Sequence, residues 1–143
     1  MRRGVSITLV RGETRIRAAL PHADMAGDRC IAQTERPRLQ PVRGMRPGRE
    51  VQVGERAYAI GAPMGLALSL TEGIVSAVRS QNGVALVQST APVSFGSSGG
   101  GLFDARGNLI GITTFGVGRQ GGLNFATTPD GFWQVPPVRG RPR

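Results

Sequence analysis

At 143 residues the chain is long enough for one well-cored domain and too short for two of ordinary size. Its apolar residues never approach the roughly 18 in a row that a membrane-spanning helix requires, so no membrane span is expected. The formal charge of +9 comes from arginine alone and is unevenly placed: residues 57–138 are neutral, with Arg79, Arg106 and Arg119 balancing Glu72, Asp104 and Asp130. A phosphate-binding surface ordinarily mixes lysine with arginine, so the basic ends read as solvated surface and nucleic acid is not an expected partner.

Short strand-like runs follow one another along the chain: Val5 to Val10, Thr14 to Leu20, Arg56 to Gly61, Ala67 to Leu70, Ile74 to Val78, Val84 to Gln88, Leu109 to Phe115 and Leu123 to Thr127. None sustains helical periodicity. Asn82-Gly83 and Ala105-Arg106-Gly107-Asn108 supply tight turns between runs. An all-β fold built on antiparallel barrels is expected. Between about residues 35 and 53, Arg36-Pro37, Gln40-Pro41 and Arg46-Pro47-Gly48 interrupt any regular element. The expected organisation is residues 1–52 as a partial first barrel plus connector, 53–130 as a complete second barrel, and 131–143 as a frayed Pro/Arg tail. Asp130 is a candidate cap for a short terminal turn.

Cys30, the single cysteine, cannot form an internal disulfide and is expected to be a small buried apolar side chain. No group of His, Cys and carboxylates has metal-ligand spacing, so neither a metal nor another cofactor is expected. Arg11, Arg15 and Arg17 interrupt the early apolar runs, so no signal peptide is read in these residues.

The chemically informative segment is Phe95-Gly96-Ser97-Ser98-Gly99-Gly100-Gly101-Leu102. Composition alone describes a flexible linker. Its position between the strand ending at Gln88 and the apolar run from Gly101 argues for a built turn instead. Glycines on both sides of Ser98 let the backbone lift the hydroxyl and turn N–H groups toward one point. Those are the requirements of acyl transfer: a nucleophile at Ser98 and oxyanion donors across Gly96, Ser97 and Ser98, the N–H groups of Gly96 and Ser98 foremost.

These residues resemble the second barrel of trypsin-like serine peptidases of the HtrA/Deg type. The match runs through Ile60-Gly61-Ala62-Pro63-Met64-Gly65, Thr71-Glu72-Gly73-Ile74-Val75-Ser76, Gly96-Ser97-Ser98-Gly99-Gly100-Gly101-Leu102 and Leu123-Asn124-Phe125-Ala126, in family order. The departures are Ser97 for the family's Asn and Gly101 for its Pro, and neither removes a functional atom, because the oxyanion donors are backbone N–H groups. The resemblance implies a chymotrypsin-like fold and a serine endopeptidase acting on peptides or unfolded proteins. It implies that Thr113, Thr114, Phe115 and Gly116 line the substrate cleft, that Asn124, Phe125 and Ala126 wall the specificity pocket, and that the parent is periplasmic or secreted. An uncharged pocket floor favours small or apolar side chains at the cleavage point.

The family's triad aspartate lies in Asp-x-x-x-Asp-Leu-Ala-x-Leu, and Asp24-Met25-Ala26-Gly27-Asp28-Arg29-Cys30-Ile31-Ala32 fits that register, which nominates Asp28. A plain turn aspartate is the competing description of Asp28. The one histidine, His22, lies six positions before Asp28 in Leu20-Pro21-His22-Ala23-Asp24, which does not match the family's histidine motif. It reads as a surface residue at a strand end. The expectation is a truncated first barrel without the catalytic histidine, hence an inactive chain or a peptide-binding module.

Overall fold

In the computed structural model, residues 6–25, 28–35, 39–63, 68–81, 83–117, 123–132, 135 and 137 are described. They divide into two compact units, residues 42–133 and residues 1–41 with 134–143. Among the described residues no helix is long and apolar enough to cross a membrane.

The smaller unit is a three-stranded antiparallel sheet in the order β1-β2-β3, with β1 at Ser6–Arg11, β2 at Thr14–Asp24 and β3 at Arg29–Thr34. β2 continues through Pro21, past the expected end at Leu20. A register shift between Ala19 and His22 accommodates a residue that has no N–H to give the ladder. His22 therefore lies inside a strand rather than at its end. It is half-buried, its Nδ1 is 3.1 Å from the Val135 carbonyl, and it forms a bridge with Pro137. Val135 is itself buried, so the expected fraying of the tail does not extend to these two described residues. The remainder of that tail, apart from residues 131 and 132, lies outside the described residues. Cys30 is exposed, contrary to expectation, because it falls on the open face of alternating β3.

The larger unit is a closed six-stranded barrel, β4-β5-β6-β9-β8-β7. Its strands are β4 Arg56–Gly61, β5 Ser69–Gln81, β6 Val84–Ser89, β7 Gly101–Asp104, β8 Leu109–Val117 and β9 Leu123–Thr127. Every neighbouring pair is antiparallel. Alternation along β4 turns Ala57 and Ala59 inward, where they join Val75, Val87, Ala91, Leu102, Ile110 and Ala126 in one core. Val51 enters the same core, and Leu109 exchanges backbone hydrogen bonds with Gly44 and Arg46. Residues 42–53 thus pack with the barrel rather than standing off as a connector.

Two acidic residues fasten the barrel's ends. Asp104 closes the β7–β8 turn by accepting from the N–H groups of Arg106 and Asn108, the Asn108 side chain and Arg46, each at 2.9 Å. Burial would raise its pKa, but these bonds outweigh burial and hold it at about 2 rather than 3.8. Asp130 does not cap its own 3-10 turn, Pro129–Gly131. It accepts from the N–H of Gly48 at 2.7 Å and from the Thr128 hydroxyl at 3.2 Å.

The ring order places β6 and β7 on opposite sides of the barrel. The chain between them, residues 90–100, must therefore cross a barrel end, and this crossing carries Ser98.

Candidate active site

The crossing is tied down along its length. Ala91 N donates to Ser89 Oγ (3.0 Å), Ile74 N to Thr90 Oγ1 (2.9 Å), Thr71 Oγ1 to the Pro92 carbonyl (2.7 Å), and Asn124 Nδ2 to the Ala91 carbonyl (2.9 Å). Gly73 explains how the crossing lies so low: a Cβ there would collide with the Thr90–Ala91 backbone. The glycine of Thr71-Glu72-Gly73-Ile74-Val75-Ser76 is thus a passage for the segment that leads to Ser98.

Two consecutive β-turns follow. Ser97 N donates to the Ser94 carbonyl (2.9 Å), with Gly96 third at φ +93°. Gly100 N donates to the Ser97 carbonyl (3.0 Å), with Gly99 third at φ +84°. A positive φ at the third position is the signature of a type II turn and strains any residue with a Cβ. Ser98 occupies the second position of the second turn and is exposed. Among the described residues, the N–H groups of Gly96 and Ser98 have no protein acceptor, which leaves both donors for an incoming oxygen.

β8 supports the turns from the other side. Thr113 is buried, and its hydroxyl donates to the Ser97 carbonyl (2.6 Å) and lies 3.2 Å from that of Gly100. Its N–H donates to the Gly100 carbonyl and its carbonyl accepts from Gly99 N, both at 2.8 Å. All its polar groups hold the turn, a task that its family position did not reveal.

Between Thr113 and Phe115 the pairing with β9 slips by one residue. Such a bulge re-aims the extra residue, and Thr114 presents its carbonyl to the Ser98 hydroxyl, which donates to it at 2.9 Å. Gly116 lies two residues further along β8, opposite Asn124, while Phe115 pairs with Phe125 and Thr113 with Ala126. Thr114, Phe115, Gly116, Asn124, Phe125 and Ala126 thus form the paired strands beside Ser98.

Asp28 lies in the β2–β3 turn, exposed, with φ +48°. Asp24, also in the matched motif, pairs with Arg29 at 3.0 Å. Among the described residues no group of three or more His, Cys, Asp or Glu could hold a metal ion.

A closed six-stranded antiparallel barrel with a glycine-turned serine crossing its end is a chymotrypsin-like barrel. A profile of the trypsin-like peptidase domain matches residues 4–112, and the chain belongs to that family. It is 34% identical over 140 residues to the mitochondrial serine protease HTRA2 of Bos taurus, covering 90% of this chain and 29% of that protein. It is 35% identical over 127 residues to a probable periplasmic serine endoprotease, DegP-like, of Ectopseudomonas mendocina (strain ymp), covering 84% of this chain and 27% of that one. The solved structure of the HtrA-type protease AlgW with decapeptide matches with a TM-score of 0.77 at 30% identity, over 87% of this chain and 41% of that one. The chain spans about a quarter of the length of the relatives it matches.

Proposed function

We propose that this chain is the nucleophile-bearing part of a serine endopeptidase that cleaves extended peptides through an acyl-enzyme on Ser98. The observation that carries the reading is the double turn: it exposes the hydroxyl and leaves the N–H groups of Gly96 and Ser98 free beside it. In the proposed reaction Ser98 Oγ adds to the scissile carbonyl and its proton passes to a histidine. The two N–H groups hold the oxyanion, each contributing roughly 3 kcal/mol by comparison with measured sites. The tetrahedral intermediate collapses with loss of the amine, which takes the proton, and water then releases the acyl group. Asp28 has the role of orienting that histidine. Thr114 to Gly116 receive the peptide as an added strand, and Thr113 positions the turn from beneath.

The histidine is assigned to a segment outside these 143 residues. The one histidine of the sequence, His22, does not match the family's histidine motif, and this mismatch is the ground for that assignment. The partner of Ser98 Oγ is a peptide carbonyl, which cannot take up its proton. Loss of the base from such a triad lowers turnover about a millionfold in the measured case, leaving roughly 10³–10⁴ over water from the oxyanion donors and binding. The same hydrogen bond favours a second reading, a catalytically silent module that binds extended peptides.

Labelling with an organophosphonate, read by intact mass, separates the two. A slow single addition to the purified chain, absent from Ser98→Ala, is the result expected of a peptidase nucleophile. No addition after prolonged exposure would leave only the binding module. Rapid specific proteolysis by the purified chain, abolished in Ser98→Ala, would overturn the assignment of the base to another segment.

A further inference from the structure

Away from Ser98, a cleft of about 270 Å³ opens between residues 46–56 and the β7–β8 turn, lined by Arg46, Arg56, Arg106, Gln52, Glu55 and Asp104 among others. It lies at the other end of the barrel from the nucleophile. Gly61, the last residue of β4, sits so close to Ser97 that a Cβ on it would meet the Ser97 side chain at 2.9 Å, whereas Arg56 is the first residue of that strand. At a rise of about 3.3 Å per residue, the two ends of β4 are roughly 16 Å apart.

The two carboxylates do not make this a cation site. Asp104 accepts from Arg46 and the Asn108 side chain at Oδ2 and from two backbone N–H groups at Oδ1. Glu55 accepts from Arg46 at Oε2 and from the Gln52 N–H at Oε1, each at 3.0 Å. Both acids are committed to the frame of the cleft, and Arg46, whose guanidinium joins them, is committed with them. The other two arginines are not. Arg106 is exposed, and among the described residues its side chain has no hydrogen-bond or ion-pair partner. Arg56 meets Glu72 at 3.3 Å, but that pair is exposed and Glu72 also accepts from the Tyr58 hydroxyl. Exposed pairs of this kind hold weakly and leave the guanidinium open to exchange.

Three guanidinium groups against two carboxylates leave the lining with one positive charge in excess. The volume falls below the roughly 300–1,000 Å³ of pockets for drug-sized ligands, so the occupant is a small group. A single negative charge carried on two coplanar acceptor oxygens matches forked guanidinium donors, and that group is a carboxylate. We propose that this cleft is a carboxylate-binding site in which Arg56 and Arg106 are the donors. A peptide C-terminus and a glutamate side chain both supply the group, and the test separates them. The site does not depend on the reading of Ser98, and its occupant leaves Thr114 to Gly116 open.

The 143-residue chain is titrated at low ionic strength with acetyl-Ala-Ala-Ala bearing a free C-terminus, with the same peptide ending in an amide, with acetyl-Ala-Glu-Ala-amide, and with inorganic phosphate. Binding is read from the backbone amide resonances of residues 52–56 and 104–106. At least one of the two carboxylate peptides is expected to bind at least tenfold more tightly than the neutral amide. The one that does so identifies the source of the carboxylate, and equal binding by both means that the carboxylate alone is recognised. Arg56→Gln and Arg106→Gln are each expected to weaken that binding at least fivefold while the remaining resonances keep their folded dispersion. An equal response to the neutral peptide, unchanged affinity in either folded variant, or shifts confined to residues 114–116 would overturn the proposal. Phosphate binding tenfold more tightly than either carboxylate would overturn it as well, because the site would then select a dianion.

Discussion

The barrel and the three-stranded sheet are built from the same kind of short antiparallel strands, yet they differ in how completely each satisfies itself. In the barrel every strand has two neighbours, and the inward positions of all six strands meet in one core of small and branched apolar residues. In the sheet β1 and β3 are edges, and Ala18 is the one buried hydrophobic residue among its described strand positions. Closure permits a long crossing to be pinned over the barrel end with its glycines in demanding conformations. An open sheet has no comparable frame, which suits a unit that contributes one candidate residue, Asp28, on a turn.

The comparison can be broken by substitution, beginning with the largest effect. Ile110→Ala should destabilise the barrel by about 2–5 kcal/mol in chemical denaturation, because Ile110 is fully buried. Val10→Thr in the sheet should change stability by no more than about 0.5 kcal/mol, since Val10 is 59% exposed. Equal effects would contradict the contrast in burial between the two units.

Next comes acid. Asp104 has its folded pKa depressed to about 2, so its contribution is full above about pH 4 and is lost as the pH falls toward 2. The shift corresponds to about 2 kcal/mol. Denaturation midpoints measured between pH 5 and 2 should show this fall in the wild type and a smaller one in Asp104→Asn.

Smaller still, Thr113→Val should remove about 1–2 kcal/mol by leaving the Ser97 carbonyl without its 2.6 Å donor. It should also slow organophosphonate addition at Ser98 more than its stability loss predicts. Proportionate slowing would reduce Thr113 to ordinary packing.

Much of the barrel could be read from sequence because its signals were local. Arg56 to Gly61 and Leu123 to Thr127 appear as strands with the expected limits. What failed to show locally was set by contacts distant in the chain. The local pattern shows Ala67 to Leu70 and Ile74 to Val78 as separate runs, whereas β5 is continuous over Ser69–Gln81 and the missing Cβ of Gly73 makes room for Ala91. The short strand β7 has too few residues to display a period, and β3 is mixed in polarity, so neither was expected. The candidate site divides in the same way. Ser98 and its glycines announced themselves by spacing, but the partner of its hydroxyl depends on a bulge at Thr114 that no local pattern encodes.

On the proposed function, Ser98 is posed for acyl transfer and lacks only a base. Chemical rescue tests it directly: acylation of the purified chain by an activated ester, followed with increasing imidazole in the wild type and in Ser98→Ala. Imidazole is expected to accelerate formation of an acyl adduct at Ser98, with no adduct in Ser98→Ala. Identical behaviour of the two proteins at every imidazole concentration would contradict it.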